Sequence, residues 1–398
     1  MNYEEIVAME KRLLFPTYLR YPLALVRGQG CRLYDVHGKE YIDMLAGISV
    51  CNLGHAHPEI SQVICEQSKR LLHVSNLFYT REQLELARSL LSFGNFQKVF
   101  FCNSGAEANE AAIKLARRYM QEIRGEARFE IITLEGSFHG RTLATLSATG
   151  QAKVKEGFSP LVEGFVTVPP GDIDALIEAI TPHTAAIMLE VIQGEGGVKV
   201  MDQDFLRQIQ HICHRMGLLL IVDEVQTGMA RTGSFWAHSQ FHISPDIITC
   251  AKALANGLPM GAMLSTEEVS QGFAPGSHAT TFGGSPLVSA VANKVLEIIE
   301  RDGLIEHSKK MGEMLKQMLT GLQERHPHII AEVRGKGLMI GMELKKWAKD
   351  IFSSLLEEGF ICNLAQGNVL RLLPPLIISP EEISLFVEAL DKVLSSLK

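Results

Sequence analysis

Cysteine is scarce and unpatterned in this chain. The seven, at positions 31, 51, 65, 102, 213, 250 and 362, are odd in number, widely scattered and never spaced as C-x-x-C. That excludes a disulfide framework and a cysteine-built zinc site, and reads as reduced thiols of a cytoplasmic chain. No apolar stretch approaches the roughly 20 residues that cross a bilayer. The start, Met1-Asn2-Tyr3-Glu4-Glu5, is acidic rather than basic then apolar, so no export signal is expected. There is no block of Lys and Arg, and the net charge of -7 with a pI near 6.1 leaves no electrostatic footprint for nucleic acid. The histidines at His55-x-His57 and His211-Ile-Cys213-His214 lack a second ligand pair, and no metal is expected.

What is present is ordinary globular material: 46% hydrophobic and 21% charged residues over 398 positions, with 34 glycines that follow no period. Such a length exceeds what one core supports and predicts two or three domains. From about residue 60 to 290, short β-rich runs alternate with helical patterns. The expected strands are Lys98–Asn103, Glu130–Leu134, Ala185–Ile192, Leu218–Val222, Ile247–Cys250 and Gly261–Ser265. Several are apolar throughout, as strands covered on both faces must be, which predicts a mostly parallel α/β sheet with helices on each side. The last hundred residues read as helices over Leu287–Glu300 and Leu304–Arg325 and a strand pair within Ile329–Leu344. Near the start, Arg32–Asp35 and Glu40–Asp43 flank a hairpin-like turn at His37-Gly38. The resulting division is 1–57 as a segment packing on a smaller domain, 58–286 as the large domain and 287–398 as the smaller one.

Ligands of parallel sheets sit beyond the carboxyl ends of the strands, so polar residues that end apolar runs carry the chemistry. In Phe100-Phe-Cys-Asn-Ser-Gly-Ala-Glu-Ala-Asn109 a strand runs straight into a helix. Ser104 and Glu107 have capping-box spacing, and Ala108, Ala111, Ala112, Leu115 and Tyr119 form one apolar stripe. The amides of Gly105 and Ala106 then open a helix N-terminus, which favours an anion such as phosphate. Leu218-Leu-Leu-Ile-Val-Asp223-Glu-Val-Gln226 delivers a carboxylate and an amide at a strand end, and such an Asp can pair with a protonated pyridine nitrogen. Lys252 follows 29 residues later, just past the next apolar run, where desolvation would make its amine nucleophilic. Gly335-Lys-Gly337-Leu-Met-Ile-Gly341 mimics a dinucleotide fingerprint, but Leu338–Leu344 alternates as a strand and does not open a helix. Those glycines are expected in a tight turn.

With Asp223, Gln226 and Lys252 in place, the chain resembles the class III (ω-amino) aminotransferases, fold-type-I enzymes of pyridoxal 5'-phosphate, from Phe15-Pro-Thr-Tyr18 to Arg371-Leu-Leu-Pro-Pro375. The resemblance implies a seven-stranded large-domain sheet and a smaller α+β domain built from both chain ends. It implies that Ser104, Gly105 and Ala106 hold the cofactor phosphate, that Phe138 stacks on the ring, and that Lys252 attaches the cofactor as a Schiff base. Asp223, Glu224, Val225 and Gln226 would gather at the ring, with Asp223 on its nitrogen and Gln226 near its phenolic oxygen. Thr281 would reach the phosphate of a neighbouring subunit, giving a homodimer with shared sites.

Within the family the acetylornithine branch is the most similar, through Gly194-Glu-Gly-Gly197, Lys252-Ala-Leu-Ala-Asn-Gly-Leu-Pro259 and Arg371–Ile378. That implies N2-acetylornithine as amino donor and 2-oxoglutarate as acceptor, yielding glutamate. Arg141 would clamp the donor carboxylate, with Thr280 and Tyr18 nearby, and Arg371 the α-carboxylate of glutamate or 2-oxoglutarate, with Glu195 neutralising Arg371 when the amino donor brings no carboxylate there. Val191, Ala230, Thr280 and Ser285 depart from the branch's usual residues, and Ala230 is closer to ornithine enzymes. Ornithine, succinyl-diaminopimelate and 4-aminobutyrate are the alternative donors.

Overall fold

The computed structural model describes residues 1–397. Its strands, in chain order, are β1 (Leu25–Gln29), β2 (Arg32–Asp35), β3 (Glu40–Asp43), β4 (Lys98–Cys102), β5 (Glu130–Leu134), β6 (Phe165–Val168), β7 (Thr184–Leu189), β8 (Ile192–Gln193), β9 (Lys199–Val200), β10 (Leu219–Asp223), β11 (Ile247–Cys250), β12 (Gly261–Ser265), β13 (Ile330–Lys336), β14 (Met339–Leu344), β15 (Phe360–Ile361), β16 (Asn363–Ala365) and β17 (Val369–Leu372).

Seven of these form the central sheet in the order β4-β12-β11-β10-β7-β5-β6. Pairing is parallel from β11 through β10, β7 and β5 to β6. Only β12 runs against its neighbours β11 and β4. Every residue of β7 and β10 is buried, which is why these runs are apolar without alternation. The edge strand β6 had no counterpart among the runs expected from sequence. It is four residues long and only half-buried at the sheet edge, between Gly164 and the Pro169-Pro170 pair. The expected strand Ala185–Ile192 is interrupted: β7 stops at Leu189, Glu190 and Val191 leave the sheet, and β8 pairs with β9 in a separate ribbon.

Both chain ends build the smaller sheets. β15, from the last forty residues, pairs parallel with β3, from the first fifty, in the sheet β1-β2-β3-β15. The other is β13-β14-β17-β16, backed by the helix Leu304–Arg325. Gly337 lies in the β13–β14 hairpin turn at φ +50°, and a Cβ there would sit 2.4 Å from the Thr232 carbonyl carbon, so the glycine is demanded by a close approach, not by a nucleotide. No helix among the described residues is long and apolar enough to cross a membrane.

Fully buried Arg231 ties the large sheet to both chain ends. It donates from Nε to Ser49 Oγ at 2.9 Å and from Nη1 to the carbonyls of Leu338 at 2.9 Å and Pro374 at 2.6 Å. Its remaining nitrogen donates to Asn52 Oδ1 at 2.5 Å. All four acceptors are neutral, and burial pulls the guanidinium's pKa down to about 9.

Candidate active site

Five strand ends converge on one cavity of about 400 Å³ at the carboxyl edge of the sheet, lined among others by Ser104, Phe138, Glu190, Asp223 and Lys252. β10 ends on Asp223, and β11 is followed by Ala251 and Lys252. Lys252 takes φ +45°, a left-handed conformation that costs a branched-free side chain free energy and is found where a site over-determines the backbone. Burial pushes the pKa of its ammonium down, against the opposing pull of Glu195.

The floor of the cavity is a closed hydrogen-bond network around Asp223, which is buried. Its Oδ2 accepts from Asn109 Nδ2 at 2.7 Å and lies 2.9 Å from His139 Nδ1. A carboxylate only accepts, so Nδ1 carries the proton in this pair. Oδ1 accepts from the Val225 amide at 3.0 Å. Asn109 is itself fixed by Thr249, whose hydroxyl donates to Asn109 Oδ1 at 2.7 Å. Asp223 therefore has no freedom to turn.

At one end of the floor the helix Gly105–Arg118 begins. Ser104 caps it, accepting from the Glu107 amide at 3.1 Å, while Glu107 Oε2 accepts from the Asn103 amide at 2.5 Å. The expected box is thus closed one residue earlier than its spacing implies. The whole expected stripe from Ala108 to Tyr119 is buried against the sheet. A Cβ on Gly105 would lie 2.6 Å from Val225 Cγ1, so the helix start packs on Val225 too closely for a larger residue. Unpaired N–H groups and the helix dipole make this end an anion cradle.

Away from the floor, Arg371, on β17, is 1% exposed behind Glu195, which lines the cavity, and donates from Nη1 to Glu195 Oε1 at 2.6 Å. Burial pushes the Glu195 carboxyl up, but Arg371 more than offsets it and leaves the pKa below the usual carboxylate range. Gln226 Oε1 is 3.5 Å from the same guanidinium nitrogen. Arg141 is exposed at the rim, its guanidinium 5.5 Å from the centroid of the Phe138 ring.

A lysine, a pinned aspartate and an anion cradle in one cavity, with a lining carboxylate, Glu195, that pairs with a buried arginine, suit amino-group transfer with a phosphorylated aromatic cofactor, and comparison with known proteins agrees. The family described as aminotransferase class-III matches residues 16–394. This chain is a class-III aminotransferase. It is 46% identical over 400 residues to an acetylornithine aminotransferase of Methanocaldococcus jannaschii, covering 100% of both chains. Another, from Brucella melitensis, is 47% identical over 369 residues, 93% of this chain and 92% of the relative. Among solved structures it is similar to the ornithine aminotransferase of Toxoplasma gondii ME49, at a TM-score of 0.96 and 31% identity, over 100% of this chain and 96% of that one. It is also similar to acetylornithine aminotransferase from Elizabethkingia anophelis, at a TM-score of 0.89 and 34% identity over 100% of each chain.

Not every residue expected at the site of this class-III aminotransferase lines the cavity: Arg371 is buried behind Glu195, which does. Glu224 faces the core instead: its Oε1 accepts from the His238 amide at 2.7 Å and its Oε2 from the Thr227 hydroxyl at 2.5 Å. Past the strand end successive side chains turn to opposite sides, so Asp223 and Val225 meet the cavity and Glu224 does not. Thr280 stands just outside, its Oγ1 accepting from Asn103 Nδ2 at 3.1 Å. Thr281 is exposed and lines a separate surface depression with Leu77. Tyr18 is 73% exposed and reaches no part of the cavity.

Among the lining residues given no site role from sequence are Asn109, His139 and Glu190. Glu190 Oε2 accepts from the Phe138 amide at 2.9 Å, and burial, with Asp223 close by, pushes its carboxyl well above the usual range. A glutamate ending a wholly apolar run was the signal available for it. Asn109 ends the strand-to-helix motif, and its role is invisible without the 114-residue separation that the fold closes to Asp223.

Proposed function

We propose that the chain transfers the δ-amino group of N2-acetylornithine to 2-oxoglutarate, with pyridoxal 5'-phosphate as cofactor, giving N-acetylglutamate 5-semialdehyde and glutamate in arginine biosynthesis. The observation that carries this reading is the meeting of Lys252, Asp223 and the capped helix at Ser104 in one cavity beneath the Arg371–Glu195 pair. The relatives that match over the full chain at 45–46% identity, all acetylornithine aminotransferases by name, support the donor.

The residues present fit the cofactor. The helix N-terminus at Gly105 lines the cavity as a cradle for a phosphate, and Asp223 is held where a cationic ring nitrogen would need it. When bound, pyridoxal phosphate supplies an aldehyde that receives the amino group and an electron-poor ring that stabilises charge left at carbon. Lys252, with its pKa lowered by burial, would be the amine that holds the cofactor and the base able to take a proton from the donor's Cδ. Asp223, kept in place by Asn109 and His139, favours the protonated ring nitrogen. Phe138, whose amide is anchored on Glu190, would hold one face of the ring. Arg141 would receive the carboxylate of acetylornithine at the rim, and Gln226, which lines the cavity, would lie near the ring's phenolic oxygen. Arg371 waits under Glu195 while the donor is bound and is released to the α-carboxylate of 2-oxoglutarate.

The enzyme works as a homodimer in the cytoplasm. Leu77, Phe78, Tyr79 and Phe282 are 83%, 67%, 98% and 65% exposed beside Thr281, an apolar surface that a second copy would cover. Thr281 would there serve the neighbour's phosphate. Seven free thiols suit a reducing compartment.

The test is a donor screen with 2-oxoglutarate as acceptor and glutamate as readout. Acetylornithine is expected to give the highest kcat/KM. A higher value for ornithine, succinyl-diaminopimelate or 4-aminobutyrate would overturn the donor, and no glutamate from any donor would overturn the reaction.

A further inference from the structure

The Arg371–Glu195 pair leaves a physical problem unsolved by its two members. When Glu195 withdraws, a guanidinium 1% exposed loses its carboxylate, yet it must stay aimed at the cavity and stay cationic to accept a substrate carboxylate. A second carboxylate would hold it but neutralise it, and an apolar neighbour would leave it free to turn.

The neighbouring strand answers this. β16 and β17 are antiparallel, and Asn363 and Arg371 are direct cross-strand partners. Arg371 Nε donates to Asn363 Oδ1 at 3.1 Å, while Nη1 is the nitrogen that meets Glu195 and Gln226. Among the described residues Glu195 is the only carboxylate paired with Arg371; its other two partners are neutral carboxamides. The Nε bond fixes the plane of the fork and leaves its outer edge for a carboxylate. Asn363 is half-buried at the start of a strand, where its backbone is committed to the pairing with β17 and its side chain is set by the register.

We propose that Asn363 is the positioning residue of the α-carboxylate site: it holds Arg371 in place by a neutral hydrogen bond, so that the guanidinium keeps both its aim and its charge when Glu195 leaves. The proposal rests on the reading of Arg371 and Glu195 given above. Asn363 touches no substrate. It acts on the half of the reaction that uses glutamate or 2-oxoglutarate and is silent in the half that uses acetylornithine.

The experiment is a pair of single-turnover half-reactions on the holoenzyme, one with acetylornithine and one with glutamate, followed by the cofactor spectrum. Asn363→Asp has the same shape but supplies a permanent carboxylate to Arg371. A charge-assisted hydrogen bond is worth enough that glutamate kcat/KM should fall by roughly 10- to 100-fold, with acetylornithine kcat/KM within about twofold. Asn363→Ala, which needs no new ion pair to fold, should raise the KM for 2-oxoglutarate by roughly 5-fold or more with kcat little changed. Equal losses in both half-reactions, or no loss in either, for both variants would overturn the role of Asn363. Glu195→Gln, run beside them, is expected to move the acetylornithine-to-glutamate ratio the opposite way, downward. If Glu195→Gln shifts the ratio and the Asn363 variants do not, the positioning role alone fails; if Glu195→Gln leaves the ratio unchanged, the underlying gate fails.

Discussion

The floor and the rim of the cavity are built on opposite principles. On the floor Asp223 is buried and every donor around it, from Asn109, His139 and the Val225 amide, comes from this chain at 2.7 to 3.0 Å. At the rim Arg141 is exposed, and the one tight contact, Arg371 to Glu195, joins a buried cation to a partly exposed carboxylate. A cofactor that never leaves rewards rigidity, because preorganised dipoles cost no reorganisation during the reaction. Two substrates that alternate reward a contact that can be exchanged. The difference teaches where substitutions should act uniformly and where they should discriminate between substrates.

The comparison breaks most completely at Lys252. Lys252→Ala should keep the fold yet lose both cofactor attachment and the proton carrier, costing at least roughly 10²- to 10⁴-fold in kcat, equally for every donor. Asp223→Asn should retain cofactor, since the amide keeps most of the network, while turnover collapses because a neutral group no longer favours the protonated ring nitrogen. Near-normal turnover with that variant would contradict a floor that works through charge. Arg231→Ala probes the frame beneath the floor: it leaves buried acceptors on Ser49, Leu338 and Pro374 without a donor. Unfolding free energy should drop by about 3 kcal/mol or more, measured by denaturant titration, with kcat/KM ratios between donors unchanged.

At the rim the effect should be smaller and selective. Glu195→Gln leaves Arg371 permanently open, and the acetylornithine-to-glutamate ratio of kcat/KM should fall by roughly 10- to 100-fold. The smallest effect lies outside both regions. His55 Nε2 is 2.7 Å from Asp43 Oδ2, and the hydrogen bond to Asp43, with a further one to Cys51, raises the imidazole pKa from 6.5 to about 9. Its stabilisation is fully present below pH 6.5 and is lost as pH climbs through about 9. Thermal midpoints of wild type and His55→Gln should differ at pH 6 and converge above pH 9.

What could be read from sequence follows the same division. The apolar runs of β7, β10 and β11 reported a two-sided buried sheet, and the polar residues ending them, Asp223 and Lys252, were findable because strand ends point into the crevice. The edge strand β6 and the break at Glu190 were not, since β6 is only half-buried at the sheet edge and a strand that leaves its sheet stays apolar. Partners of the floor, Asn109 and His139, sit in sequence among ordinary helix and loop residues and acquire meaning only when folding brings them to Asp223. Glu224 shows the converse: its neighbours' company made it look like a cofactor contact, and one step of side-chain alternation sends it into the core.

The most direct measurement is borohydride reduction of the holoenzyme followed by peptide mapping. The account predicts a single reduced pyridoxyl-phosphate label, on Lys252, with none on the Lys252→Ala variant. A label on any other lysine, or one that persists in the variant, would contradict the placement of the chemistry on this floor.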